Sequence, residues 1–321
     1  MGMELLLEHN KKIYIPVVEE GIEWSTERVG VPGKLTFKIH NDNVLKITEG
    51  DVIRFKWDDK NIFYGFIFSI KRDKEQILSI TAYDQLRYLK NKDTYVYENK
   101  TASDVIKMIA SDFKLKTGVI ADTGYRIPSR VEDGQTLFDI IINALDATME
   151  HKKTMYIMYD DFKKITLKKL NDMYVDVLID ESTIENFDYS SSIDGETYNQ
   201  IKLYFDNEET GQRDVYIAKD SNNIGNWGTL QYYESIEKGE DGKSKADALL
   251  KLYNAKTKSL SIKNTFGDVR VRAGSLLPVV LNLGDSKVQN LMVVETCKHI
   301  FKENEHFMDL KLKGGDFFAW L

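Results

Sequence analysis

Thr48-Glu49-Gly50-Asp51-Val52-Ile53-Arg54-Phe55-Lys56-Trp57, a turn at Asp58-Asp59-Lys60-Asn61, and then Ile62-Phe63-Tyr64-Gly65-Phe66-Ile67-Phe68-Ser69-Ile70 form the stretch that decides the fold. A charged turn over 71–76 and Ile77-Leu78-Ser79-Ile80-Thr81-Ala82 complete a three-stranded β-meander. The apolar and aromatic residues alternate as strands require, and the breaks carry Asp, Asn and Lys. The run Phe63, Tyr64, Phe66, Ile67 and Phe68 is nearly continuous, so this strand is expected to be covered on both faces. A closed or nearly closed barrel supplies that cover and removes exposed edges.

The same pattern returns near the other end of the chain. Ala273-Gly274-Ser275-Leu276-Leu277-Pro278-Val279-Val280-Leu281 is followed by a turn at Gly284-Asp285-Ser286-Lys287, a strand over 289–300, a charged turn over 302–305 and a strand over 307–312. Gly50 and Gly274 stand 224 positions apart, and the last strands align only when the second copy is given six extra residues. Two similar barrels in one chain are the expectation. Gly33, Gly50, Gly65 and Gly274 are the candidate structural turn residues.

The 321 residues exceed one compact core, so two or three domains are expected. The balance of 42% hydrophobic and 30% charged residues is that of a globular chain, and 17 Tyr, 15 Phe and only 4 Pro suit strands. Cys297 is the single cysteine, which excludes a disulfide within the chain and points to a reducing compartment. Leu5-Leu6-Leu7 is flanked by Glu4 and Glu8 and is no secretory leader. The longest nearly apolar run, 276–283, is too short to span a bilayer, so a soluble protein without membrane insertion is expected. Net charge is −7; residues 1–90 balance 14 acids with 14 bases, whereas 179–321 hold 23 acids and 17 bases. That lacks the footprint of a duplex-DNA binder.

Residues 4–90 read as all-β, with strands at 12–18, from Ile22, and over 34–39 after the turn Gly30-Val31-Pro32-Gly33. Residues 83–89 read as a short helical turn. Thr101 and Asp104 have the spacing of a capping box before a helix with Val105, Ile106, Ile109, Ala110 and Phe113 at helical spacing. After a loop holding Gly118, Gly124 and Pro128, Asp133-Gly134-Gln135-Thr136 leads a second helix with Leu137, Ile140, Ile141, Ala144 and Leu145 on one face. A hairpin over 155–158 and 164–170 reverses at Asp160-Asp161. Strands over 199–205 and 214–218 pair around a turn at 207–212, 221–226 is a loop, and 237–243 is a polar surface loop. Ser244 caps a helix over about 245–256. The fold class is α+β, β-dominated: two similar antiparallel β-barrel domains with an inserted small helix–helix–hairpin module. The expected domains are 1–90 (first barrel), 91–178 (inserted module) and 179–321 (second barrel with one surface helix).

No catalytic, cofactor or metal site emerges. Asp58-Asp59 and Asp160-Asp161 are the carboxylate pairs a hydrolase needs, but each lies at a strand reversal, where Asp bonds its own backbone. Cys297 and His299 share a strand face, with Glu303, Glu305 and His306 nearby. Side chains two apart on a strand seldom meet head-on, and neither CxxC nor HxxxH spacing is present, so a buried thiol is expected. There is no P-loop, GxGxxG or GxSxG. Trp320-Leu321 is a candidate exposed apolar terminus.

Taken together, Glu23-Trp24-Ser25-Thr26-Glu27-Arg28, Pro32-Gly33-Lys34-Leu35-Thr36-Phe37, Glu49-Gly50-Asp51-Val52-Ile53-Arg54-Phe55 and Ile80-Thr81-Ala82-Tyr83-Asp84-Gln85-Leu86-Arg87-Tyr88-Leu89-Lys90-Asn91-Lys92-Asp93 resemble the opening of phage tail hub proteins of PBSX-type prophages. That family is broadly related to the late-control D proteins of contractile tails. The likeness extends more loosely through Gly274 and Lys298-His299-Ile300-Phe301 to Leu310-Lys311-Leu312. The resemblance implies a structural, non-enzymatic part without cofactor: a homotrimeric hub of a phage tail or R-type bacteriocin baseplate, assembled in the bacterial host cytoplasm. Its implied partners are itself, the tail tube protein, the spike, other baseplate proteins, the tape-measure protein and DNA that passes without specific binding. Two barrels in each of three subunits would meet a sixfold tube while keeping threefold symmetry for the spike. The competing readings are a tail-associated peptidoglycan hydrolase and a carbohydrate- or receptor-binding β protein.

Overall fold

The computed structural model describes residues 2–40, 45–195, 197–207, 211–236, 239–282 and 287–314. The expected turn at Gly284, parts of those at 207–212 and 237–243, and Trp320-Leu321 lie outside the described residues.

The chain opens with Met3–His9 (β1), Lys12–Tyr14 (β2), Val18–Glu27 (β3) and Lys34–His40 (β4). The first meander is Val52–Trp57 (β5), Lys60–Arg72 (β6) and Ile77–Tyr83 (β7). A 3-10 turn at Gln85–Lys90 leads into Lys92–Thr101 (β8), Ala102–Asp112 (α1), Thr117–Ile120 (β9), Arg126–Thr136 (β10), Leu137–Lys152 (α2), Tyr156–Asp160 (β11) and Ile165–Lys169 (β12). Ile179–Asp180 (β13) and Asn186–Ser192 (β14) precede Gln200–Asn207 (β15), Gln212–Lys219 (β16), Ser221–Trp227 (α3), Gln231–Ser235 (β17), Gly242–Tyr253 (α4) and Thr257–Phe266 (β18). Leu276–Asn282 (β19), Lys287–Lys302 (β20) and Glu305–Lys313 (β21) form the second meander.

Thirteen strands belong to one sheet, and its order repeats. One half runs β3-β4-β7-β6-β5-β1; the other runs β14-β18-β21-β20-β19-β13, and the two differ at the last strand, since β1 lies antiparallel to β5 and β13 parallel to β19. The repeat holds at the level of register. Val52↔Phe66, Ile53↔Gly65 and Phe55↔Phe63 in the first hairpin correspond to Leu276↔Val293, Leu277↔Met292 and Val279↔Asn290 in the second. A bulge after Ile67 in the β6–β7 pair has its counterpart after Val294 in the β20–β21 pair. The turns entering the meanders match bond for bond. Gly50 N donates to Ile67 O (2.8 Å) and Ile67 N to Asp51 O (2.9 Å); Gly274 N donates to Val294 O (2.7 Å) and Val294 N to Ser275 O (2.9 Å). Gly50 and Gly274 have φ of +94° and +90°, a conformation that favours glycine. The six extra residues of the second copy fall three in each hairpin, because the register offset grows from 224 to 227 and then to 230; in the second hairpin they lengthen the strands, whose connection is only 303–304.

Turn chemistry sets these hairpins. Asp58 and Asp59 both have left-handed φ (47° and 61°) between the paired ends Trp57 and Lys60, and Glu303 and Asn304 (51° and 67°) do the same between Lys302 and Glu305. Two-residue connections with this backbone match the twist of the strands they join. Alternate residues of the first half then face one core: Leu5, Leu7, Ile22, Trp24, Leu35, Phe37, Ile39, Ile53, Phe55, Ile67, Leu78 and Ile80 are all buried, joined by Phe301 from β20.

The inserted module packs α1 and α2 on each other and on the strands around them, with Val105, Ile106, Ile109, Leu137, Ile140, Ile141, Ile127 and Leu167 in its core. Thr101 and Asp104 form the capping box: Asp104 N donates to Thr101 Oγ1 (3.1 Å) and Thr101 N to Asp104 Oδ2 (3.0 Å). Beyond the helix–helix–hairpin expectation, β8 and β10 pair as a two-stranded sheet and β9 adds parallel to β12. The stretch read as a loop holding Gly118, Gly124 and Pro128 therefore contains strands. Only alternate residues such as Tyr95 and Tyr97 are buried in β8, and its polar outward face hid the pattern.

By contacts the chain forms two compact units, residues 1–188 with 261–313 and residues 189–260. The second unit is a three-stranded sheet of β16-β15-β17 whose core holds Ile201, Leu203, Ala218, Ile236 and Ala246. Two helices lie in the stretch where one was expected. Residues 221–226, read as a loop, belong to α3, which Asp220 caps through Asn222 N and Asn223 N (2.9 and 3.2 Å). The α4 cap is Asp241, whose Oδ1 accepts from Ser244 N (3.1 Å), so this helix starts at Gly242 and not at Lys245.

Candidate functional site

The two halves of the sheet meet where β3 pairs with β20, from Thr296↔Glu27 to Phe301↔Ile22. Their strands are some 270 residues apart in sequence and antiparallel in space. Ionic contacts flank the joint: Arg28 Nε lies 2.9 Å from Glu295 Oε1, and Lys298 Nζ lies 3.3 Å from Glu23 Oε1. Period-two alternation turns Cys297, His299 and Phe301 to the inner face. There Trp24 stacks on His299 (centroids 4.7 Å apart, 19° between planes), while Phe301 lies 4.9 Å from both Phe55 and Trp57.

A polar chain runs through this aromatic layer. His299 Nε2 lies 2.8 Å from Val271 O, and because a carbonyl only accepts, Nε2 carries the proton. His299 Nδ1 is then the acceptor for His306 Nε2–H at 2.8 Å. Cys297 Sγ lies 3.1 Å from His299 Nε2. Side chains two apart on a strand seldom meet head-on, yet these two are in contact, close to the register shift between Val294 and Thr296. The contact is nevertheless not that of an activated nucleophile. Burial pushes the thiol up, and burial with the neighbouring His306 pushes His299 down to about 3. Both shifts oppose a thiolate–imidazolium pair. His306 is pushed down to about 4, again chiefly by burial. Among the described residues, no group of three or more His, Cys, Asp or Glu is placed to hold a metal ion.

A second buried cluster ties the inserted module to the joint. Arg272 follows Val271, and its guanidinium lies 4.0 Å from the Tyr159 ring and 5.6 Å from that of Trp24. Its Nη2 donates to Asp160 O (2.9 Å). The Asp160 carboxylate accepts from Gln85 Nε2 (2.9 Å) and Lys163 N (2.8 Å). Asp84 accepts from Gly33 N (2.8 Å) and Leu86 N (2.9 Å). Burial raises both carboxyls above the ordinary range, with Asp160 adding to the effect on Asp84, and burial also lowers Arg272. Asp160 is thus more than a turn residue: it is a buried strut, while Asp161 closes the turn through its N–H to Lys164 O (2.8 Å). The Asp84-Gln85 start of the 3-10 turn was the one sequence signal for this cluster.

Of the four glycines, Gly50 and Gly274 lie at the matched turns. At Gly33 a Cβ would stand 2.4 Å from Asp84 Oδ2, so the close approach requires glycine there. Gly65 lies inside β6, opposite Ile53, and not at a turn; a Cβ there would meet Tyr83 O at 2.3 Å. A cleft of about 320 Å³ opens beside the cluster, lined by residues that include Trp24, Tyr159, Phe162, Tyr174, Arg270 and Arg272. No helix among the described residues is long and apolar enough to cross a membrane.

This architecture has known relatives. The protein YqbQ of Bacillus subtilis (strain 168) is 32% identical over 307 residues, covering 92% of this chain and 92% of that protein. The phage-like element PBSX protein XkdQ of the same strain is 31% identical over 307 residues, covering 92% and 93%. Among solved structures, the 43 kDa tail protein of prophage MuSo2 from Shewanella oneidensis shares the fold, with a TM-score of 0.72 over 96% of this chain and 98% of that one at 11% identity. The YqbQ-like family model matches residues 22–313, and the chain belongs to that family.

Proposed function

We propose that this protein is a structural baseplate hub of a contractile phage tail or tail-like particle. It forms a homotrimeric ring that adapts a sixfold tail tube to a threefold spike, and makes and breaks no covalent bond. The observation that carries this reading is the repeated strand order, with two equivalent half-sheets joined edge to edge in one chain. Three such chains offer six equivalent positions to the tube, and a closed ring leaves no free edges. The kinship with XkdQ of a phage-like element supports the same setting. The ring works mechanically: it holds under load and lets DNA or the tape-measure protein pass. The acidic excess of residues 179–321 contributes to a lumen that repels phosphate. The Asp84, Asp160, Cys297 and His299 side chains, all buried and each held by hydrogen-bond partners within the chain, support a non-enzymatic role. Native mass measurement tests the reading. It predicts a particle of three 37.1 kDa chains, alone or on the spike; a single chain under both conditions contradicts it.

A further inference from the structure

The internal joint has a counterpart that is open among the described residues. On β20, residues 296–299 pair with β21 on one side and with β3 on the other. Register equivalence maps Thr296, Cys297, Lys298 and His299 onto Ser69, Ile70, Lys71 and Arg72 of β6. Those four pair with β7 on one side; on the other, β5 stops at its partner Phe66, and Gly50 and Asp51 bond Ile67. Beyond Ile67, that edge of β6 has no strand beside it among the described residues. The repeat also says what should lie there. In the first half the outer strand is β3, which docks on β20; its counterpart in the second half is β14, the last strand of the sheet path.

We propose that β14 of one copy docks antiparallel on the Ser69–Arg72 edge of β6 in the next copy, reproducing between chains the joint that β3 and β20 make within one. This rests on the ring proposed above and names its subunit contact. Charge supports the pairing. Lys298 contacts Glu23 across the internal joint, and Lys71, its counterpart, is exposed beside Arg72. The β14 side presents exposed Asp188, with exposed Glu185 just before the strand accepting from Asn264 Nδ2. Backbone hydrogen bonds along a strand edge, with opposite charges on the two strands, are a recurrent mode of chain association. A head-to-tail contact of this kind closes into a ring when the rotation between neighbours permits.

Disulfide trapping in the full chain tests the contact. Lys71→Cys is combined in turn with Asn186→Cys, Asp188→Cys and Ser190→Cys, which sample the register; Cys297, 1% exposed, stays out of the oxidation. We expect one combination to give a covalent trimer, and each single variant to give none. Amide exchange of the parent should slow over 67–74 and 185–192 on going from dilute monomer to trimer. A trimer that forms without any of these cross-links, and with exchange unchanged in both segments, overturns the strand contact and leaves the ring standing. A chain that is monomeric at every concentration, with and without the spike, overturns both.

Discussion

Gly50 and Gly274 offer a controlled comparison, because they occupy the same position of the repeat with nearly the same φ and differ in what surrounds them. A Cβ at Gly50 would have nothing within 4 Å. A Cβ at Gly274 would lie 2.3 Å from Ile157 Cγ2 and 3.2 Å from Ile157 Cγ1, in the β11 strand of the inserted module. Gly50→Ala therefore costs only the backbone strain of an L-residue at positive φ, about 1–2 kcal/mol. Gly274→Ala carries that strain plus overpacking against a side chain that is itself 1% exposed, a further ~1–3 kcal/mol. Urea unfolding at pH 7, followed by tryptophan fluorescence with the slope held constant, reads both losses. In a double-mutant cycle, Ile157→Ala should cost about 2–5 kcal/mol alone but less in the Gly274→Ala background, since the truncation removes the clashing methyl. Equal losses for the two glycines, or strict additivity with Ile157→Ala, would refute the claim that Gly274 seats the second meander against the module.

Three further outcomes follow from the joint. His299 and His306 are held at about 3 and about 4, below the ordinary 6.5, so below pH 6.5 the unfolded chain binds protons that the folded chain refuses. Their contribution is complete above pH 6.5 and falls by about 3 kcal/mol for each histidine as pH drops towards 4; Asp84 and Asp160, whose pKa values are raised, work in the opposite sense over that range. Urea midpoints between pH 7 and 4 should show this decline, and His306→Gln should flatten it. Phe301→Ala removes a ring that is 0% exposed and touches both halves of the sheet, and should cost about 3–5 kcal/mol in the same assay. Cys297 should resist a thiol reagent in the folded chain and label in step with unfolding; rapid labelling under native conditions would contradict its burial.

The meander was legible because its signals are local. Period-two alternation between Val52 and Trp57 and the paired turn residues Asp58 and Asp59 act within a few positions, and the same signals recur after Gly274. The capping box at Thr101 was legible for the same reason. The joint between Trp24 and His299 was not, since nothing local encodes a partner some 270 residues away. The Asp160–Gln85 bond was hidden similarly: turn propensity accounts for Asp at that position and says nothing of what its carboxylate reaches. Helix α3 went unread because Asn and Gly are poor helix formers, and its Asp220 cap is also what a turn would carry. Gly65 was read by residue type alone, whereas its need is the close passage of the β7 backbone at Tyr83.

In the ring proposed above, the two similar half-sheets of each chain become six positions around one axis. Class-averaged electron micrographs of the purified protein, alone and mixed with its spike, test it most directly. Rings of three chains with true threefold order and six similar positions around the axis are expected; single-chain particles in both samples, or rings of any other order, would contradict this.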